Sequence, residues 1–338
     1  MTYDTGFILH GEISRPCLEP RVVRRELAII RDDLHCNAVQ IIGGDAGRLE
    51  LAACYAAELG LEVWFSPYPL ELTKGKIRAL FADCAERAEK LRQAGAEVVF
   101  VAGVELSLMN PGFMPGDSVD DRLGRLLGQP PERRRERLAE VSARVNEFLG
   151  EAVALVREHF GGRVTYAAIP VERVDWAPFD IVSVELIRSA EVAAQFRDGV
   201  RSLVAGGKPV AITGFGAATY RGAGDRGARS MKILVYDQDT GAPAGLDGSY
   251  VRDEDGQAAY LAELLEIFDG EGVDSTFVFL FALGSLPHRP AGDPRHDLDL
   301  ASPGIVKVLD AGQHGAAYPD MTWEPKAAFA AIAERYGV

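Results

Sequence analysis

Apolar positions along the chain alternate between two spacings, short unbroken runs and stripes of helical period, and that alternation persists from end to end. Tyr3 to Phe7 reads as a first strand. Pro20 to Leu34 then places Val22, Val23, Leu27, Ile30 and Leu34 on one helical face. Ala38 to Ile42 is a short buried strand, and Asp45 is placed to cap the helix that runs to Leu59 and stops at Gly60. Glu62 to Ser66 is a third strand, ended by Pro67 and Pro69. Lys74 to Gln93 carries Ile77, Leu80, Phe81, Cys84, Ala88 and Leu91 on one stripe, and Glu97 to Val104 is a nearly all-apolar fourth strand. Arg133 to Phe160 reads as a long helix.

The second half keeps the rhythm. Val164 to Ile169, Phe179 to Leu186, Pro209 to Phe215 and Ser275 to Ala282 read as strands five to eight. Ala190 to Ala205, Gln257 to Phe268 and Trp323 to Tyr336 read as helices, and only the stretch between the fifth and sixth strands lacks one. Eight strands alternating with helices over 338 residues predict an α/β fold, a single (β/α)8 TIM barrel spanning 1–338. Loop lengths agree. Links from helix to strand are short, as at Gly60-Leu61 and Gly95-Ala96. The long links, Ser107 to Glu132, Ala217 to Gly256 and Gly284 to Thr322, all follow strands, which puts them at the C-terminal face where barrel active sites form. An open doubly wound sheet would carry a glycine-rich phosphate turn after its first strand. Gly11-Glu12-Ile13-Ser14 is no such turn, and no cofactor is predicted.

Composition narrows the classes. A net charge of −14 argues against nucleic acid and anionic membranes as partners. The N-terminus has no signal-peptide pattern and no apolar run is long enough to span a bilayer, so a cytoplasmic protein acting on a small molecule is expected. Cys17, Cys36, Cys54 and Cys84 form no C-x-x-C pair and read as reduced structural thiols. The six histidines show no metal-binding spacing, so no metal is predicted. Nothing in the chain fixes an oligomeric state.

Carboxylates at strand ends are the candidate chemistry. Glu105 directly follows Val98 to Val104, at the mouth of an apolar strand. Partial desolvation there raises a carboxyl pKa and suits it to proton transfer, although a helix cap or rim ion pair is the plain alternative. Asp4, Glu172 and Glu185 also end strands. Tyr220 and Arg221, in the loop after the seventh strand, either orient substrate or pack the loop. His288 to Asp299, with His296, Asp297 and Asp299, reads as a solvated loop over the mouth. Trp64, Trp176 and Trp323 are either platforms for a substrate ring or core residues.

These residues resemble a family. Tyr3-Asp4-Thr5-Gly6-Phe7, Leu61 to Pro67, Ala102-Gly103-Val104-Glu105-Leu106-Ser107, Thr219-Tyr220-Arg221-Gly222, Asp297 to Ser302 and Trp323-Glu324-Pro325-Lys326 are similar to stretches of actinobacterial barrel proteins labelled "abortive infection protein". Those proteins in turn resemble TIM-barrel glycoside hydrolases. The resemblance implies a retaining layout, with an acid/base Glu after the fourth strand and a nucleophilic Glu at the end of the seventh. Glu105 fits the first place. The second place is occupied by Gly214, in Ile212-Thr213-Gly214-Phe215-Gly216, and the sixth strand ends Glu185-Leu186-Ile187 where relatives carry tyrosines. Three readings stay open: Glu185 replaces the missing carboxylate, Glu105 acts alone in another reaction, or the chain is a non-catalytic binding or defence protein. The paired losses favour a repurposed biosynthetic enzyme, with Glu105 driving cyclisation, elimination or isomerisation of a largely apolar, oxygenated metabolite. Under either enzymatic reading Glu105 and Glu185 are the catalytic candidates, and Asp4, Trp64, Glu172, Gly214, Tyr220, Arg221 and Trp323 are candidates for substrate binding.

Overall fold

Strands with both faces buried need helices on one side and a filled interior on the other, and the barrel supplies both. The computed structural model describes residues 1–9, 11–237 and 239–337. β1 (Thr2–Asp4), β2 (Ala38–Gly43), β3 (Glu62–Pro67), β4 (Val98–Val104) and β5 (Arg163–Ala167) pair in that order, all parallel. β6 (Val182–Glu185), β7 (Val210–Phe215) and β8 (Ser275–Val278) form a second parallel run. Two seams close the ring. Ala168 N donates to Ser183 O at 3.2 Å and Glu185 N to Ala168 O at 2.8 Å, joining β5 to β6. Just past β8, Phe281 N donates to Thr2 O at 2.9 Å, joining the last strand to the first.

The helices are α1 (Pro20–Asp32), α2 (Ala46–Glu58), α3 (Lys74–Gln93), α4 (Pro131–His159), α5 (Ala193–Val204), α6 (Glu254–Gly270) and α7 (Ala327–Tyr336). Their inward stripes are those expected from the spacing. Val23, Leu27 and Ile30 of α1 and Ile77, Phe81, Cys84 and Ala88 of α3 are fully buried against the sheet. Asp45 caps α2 by accepting from Arg48 N at 2.9 Å. Between β5 and β6 there is only a single 3₁₀ turn, Pro170–Glu172. Among the described residues no helix is long and apolar enough to cross a membrane.

Several boundaries differ from the sequence reading, and two of the differences have a plain local cause. β1 stops at Asp4 rather than Phe7, because the Asp4 carboxylate accepts from Gly6 N at 2.7 Å and Gly6 turns the chain with φ at +116°. The last helix starts at Ala327 rather than Trp323. Trp323–Pro325 is instead a strand antiparallel to Val306–Val308, and Pro325 cannot supply the N–H that a helix continuing through it would need.

The interior of the ring is filled by Trp64, Val99, Val101, Val104, Ala167, Ile181, Ala211 and Phe277. The odd positions of β4 face in, while Val98, Phe100 and Ala102 face the helices. That alternation breaks at Gly103, where the β4–β5 register shifts between Val101 and Val104. Gly103 sits at φ +88°, and a Cβ there would lie 3.0 Å from Phe81 Cζ and 3.2 Å from Leu106 Cδ2. A side chain does not fit, so this step of the strand requires glycine. The bulge brings Val104 inward and delivers the chain to Glu105 at the rim.

Candidate active site

Glu105 leaves β4 in the left-handed region, φ 40° and ψ 41°. For a residue with a Cβ this conformation costs on the order of 1–3 kcal/mol. Three successive amides hold it. Glu105 N donates to Ala167 O at 2.9 Å, Leu106 N to the Tyr166 hydroxyl at 2.7 Å, and Ser107 N to Glu172 Oε1 at 3.0 Å. The Tyr166 hydroxyl in turn donates to Glu172 Oε2 at 2.8 Å. Glu172 is therefore the buried support behind the Glu105 turn, with its oxygens already engaged by protein groups. The turn leaves the Glu105 side chain half-buried at the mouth.

Glu185 reaches the same mouth from β6. The ladder places it directly beside Gly214 of β7, where the register shifts, and Leu186 N donates to Gly214 O at 2.9 Å. Its carboxylate lies over Gly214. A Cβ on residue 214 would stand 2.7 Å from Glu185 Cδ and would collide with Oε2. The space that a strand-seven side chain would enter is already filled by a carboxylate from strand six.

The electrostatics follow from this crowding. Burial pushes the Glu105 carboxyl up to about 8, and the nearby charges of Glu185 and Glu172 add to the rise. Burial raises Glu185 to about 7, while the Thr213 hydroxyl beside it acts in the opposite direction. Asp4 at the end of β1 is pushed up to about 6 by burial, despite its bond from Gly6 N. Tyr68, the residue after β3, joins them. Burial and then the charges of Glu185, Glu105 and Asp4 hold its hydroxyl well above the ordinary tyrosine range. The mouth thus gathers three carboxyls and a phenol from four strand ends. Sequence reasoning missed Tyr68, although its place directly after Ser66-Pro67 at a strand's C-terminal end was the available signal.

The other candidates are employed elsewhere. Trp64 is fully buried inside the barrel, its ring centroid 4.7 Å from that of Phe277, so it fills the core and offers no platform. Trp323 is 2% exposed, donates from Nε1 to Glu26 Oε1 at 3.0 Å and packs edge-on to Phe281. Its indole is held behind the mouth, in the network of Glu26 with Tyr3 and Arg15. Tyr220 is buried against Tyr250 and donates to Ser230 O at 3.1 Å, bracing its own loop, and Arg221 is exposed. The stretch His288 to Asp299 is not a solvated loop throughout. His296 is exposed, but Asp297 and Asp299 are buried, because Arg252 contacts both carboxylates at 2.8 Å and Lys326 Nζ contacts Asp299 at 2.9 Å. Those two cations, distant in sequence, were the missing information. All four cysteines are free. Among the described residues no group of three or more His, Cys, Asp or Glu side chains is arranged to hold a metal ion.

No family model matches the chain, and no curated protein matches it, so the "abortive infection" label gains no support from either comparison. Solved structures do match. The chain is similar to a GH113 β-1,4-mannanase solved as a complex, with TM-score 0.58, 15% identity, and 95% of this chain and 93% of that chain covered. It is similar to GH113 β-mannanase AaManA from Alicyclobacillus acidocaldarius in complex with ManMIm, with TM-score 0.55, 15% identity, and coverage of 100% and 96%. A family 1 β-glucosidase from Thermotoga maritima matches with TM-score 0.51, 12% identity, and coverage of 94% and 86%. At such identities the likeness concerns the fold alone, which is the TIM barrel.

Proposed function

We propose that the chain is a glycoside hydrolase in which Glu105 is the general acid and Glu185 the second carboxylate. The observation behind this reading is the Glu185 carboxylate lying over Gly214. The preference for a repurposed enzyme rested on the loss of that second carboxylate, and a neighbouring strand supplies one at nearly the same spot. The acid strengths fit the division of labour. Glu105, pushed up to about 8, keeps its proton at neutral pH, while Glu185, at about 7, ionises first.

A glutamate at 214 would carry its carboxyl about three bonds beyond Cβ, towards the sugar. The Glu185 carboxyl stands at the Cβ position itself, set back against the wall. We take that retreat to leave room for a water between Glu185 and Glu105, the arrangement that a single displacement with inversion requires. In that step the anomeric C–O bond breaks, the Glu105 proton passes to the leaving oxygen, and a water oxygen bonds to the anomeric carbon. The water's proton goes to Glu185. Tyr68, beside the charges of Glu185 and Glu105, is assigned here as the donor to the ionised carboxylate.

The repurposed acid/base reading retains one support, since Glu105 and Glu185 both lie high enough to carry protons near neutrality. A panel of 4-nitrophenyl glycosides separates the two. The glycosidase reading expects chromophore release from at least one sugar, a loss of about 10²–10⁴-fold in Glu105→Gln and in Glu185→Gln, and the inverted anomer as first product by NMR. No release from any member of the panel, or release indifferent to both substitutions, would remove it.

A further inference from the structure

Beside the acids runs an apolar groove of about 100 Å³, lined chiefly by Phe7, Leu9, Ile13, Leu234, Leu283 and Leu286. Its walls come from the loops after β1, β7 and β8, so it lies on the same face as the carboxyls. Two of its lining residues also touch the acidic cluster. The Phe7 ring centroid is 5.6 Å from that of Tyr68, which feels the charges of Glu185, Glu105 and Asp4. Ser14, at the other edge, accepts from Phe7 N at 2.9 Å and has its hydroxyl beside the Asp4 carboxyl. The groove therefore shares two wall residues, Phe7 and Ser14, with the acidic cluster. Apolar residues also line its approaches, with Ile8 50% exposed on one flanking hairpin and Val235 45% exposed on the other. Sugar rings, with hydroxyls all round, do not match such a lining, whereas an alkyl chain or a fused hydrocarbon ring does.

We infer that this groove receives the aglycone of the substrate, and that the natural substrates are glycosides of apolar alcohols rather than polysaccharides. The inference rests on the hydrolytic reading for the sugar half of the substrate, but binding in the groove can be measured without turnover. 2-Naphthol, titrated by its fluorescence, is expected to bind the wild-type chain and Glu105→Gln equally well. Leu234→Glu and the milder Ile13→Ser are expected to weaken that binding about tenfold or more, with Ala154→Glu on the exposed face of α4 as the control. In turnover, a hexyl glycoside is expected to exceed the matching methyl glycoside in kcat/KM by about tenfold, since the two alkoxide leaving groups are alike. Ile13→Ser should erase that preference, whereas the control substitution should keep it. Naphthol binding without any hydrolysis upholds the groove and sinks the glycosidase reading. Hydrolysis with neither naphthol binding nor a hexyl preference sinks the groove alone. A groove that proves to be covered by a second copy of the chain, with naphthol excluded from the dimer, also overturns it.

Discussion

Two groups of buried acids sit at the same end of this barrel, and they are treated in opposite ways. Asp297 and Asp299, in the loop after β8, are matched by Arg252, Lys326 and His288, and His288 and Arg252 hold Asp297 well below the usual carboxylate range against its burial. Glu105, Glu185 and Asp4, at the strand ends, are pushed above that range by burial. A buried charge is costly unless paired, so the first group is a clamp and the second is an unpaid strain kept where a substrate can use it. The clamp joins segments far apart in sequence: Lys326 Nζ also donates to Thr219 Oγ1 at 2.8 Å, and Lys307 Nζ reaches Glu254 at 2.8 Å. The loops after β7 and β8 are thereby tied to the start of α7, giving the mouth a rigid rim on that side.

Breaking the clamp should have the largest effect. Lys326→Met leaves Asp299 buried with one cation fewer, and a loss of about 3–5 kcal/mol is expected in chemical denaturation. Glu185→Gln, an equally buried site, should cost nothing comparable and should raise Tm above pH 7. If both substitutions destabilise equally, the contrast between the two groups is wrong.

Filling the space at the strand-seven position comes next. In Gly214→Ala the new methyl group displaces the Glu185 carboxylate. Turnover on the best aryl glycoside is expected to fall about a hundredfold, roughly 3 kcal/mol in barrier at 1.36 kcal/mol per decade, with the far-UV spectrum unchanged. Full activity in this variant would show that Glu185 takes no part.

Tyr166→Phe tests the support behind Glu105. It removes the hydroxyl that accepts from Leu106 N and donates to Glu172, and a loss of about 1–3 kcal/mol in stability is expected. Because the Glu105 turn loosens, kcat should drop more than KM changes, and the alkaline limb of the pH profile, set by the Glu105 proton, should shift. A stability loss with an unchanged profile would make Tyr166 merely structural.

The smallest effect is the pH dependence of stability. Glu105 and Glu185 ordinarily titrate near 4.5 and are raised to about 8 and 7 in the folded chain, so between these limits the folded chain holds protons that the unfolded chain has released. Their contribution to stability is therefore complete below about pH 4.5 and is lost as pH rises to 7–8. Asp297 runs the other way: its contribution is present above its ordinary value of 3.8 and disappears only as pH falls through its lowered one. Tm measured across pH 4 to 9 should show wild type and the Glu105→Gln, Glu185→Gln double variant diverging as pH rises, with the double variant higher. Parallel curves would mean that the two carboxyls are ordinary.

The architecture was legible because strand and helix periods are local. The stripe on Lys74–Gln93 and the unbroken run into Val104 each announce their element without reference to the rest of the chain. Glu105 was legible for the same reason, standing directly after such a run. Relations across strands were not. That Glu185 covers Gly214 depends on a register shift between β6 and β7, and that Asp299 is paired depends on Lys326 arriving from the far side of a long loop. Trp64 was misjudged because an indole at a strand position looks the same in sequence whether it faces the interior or the mouth. Trp323 was placed on a helix because its neighbours fit the helical stripe, and the pairing with Val306–Val308 that overrode this is again non-local.

The direct test of the central claim is a carboxyl titration by NMR with ¹³C-labelled glutamate, comparing wild type with Glu105→Gln and Glu185→Gln. Two carboxyl resonances with midpoints near 7 and 8 are predicted in wild type. One of them should vanish in each variant, and in Glu185→Gln the remaining midpoint should move down as the neighbouring charge is removed. Wild-type glutamates that all titrate between about 4 and 5 would contradict the account.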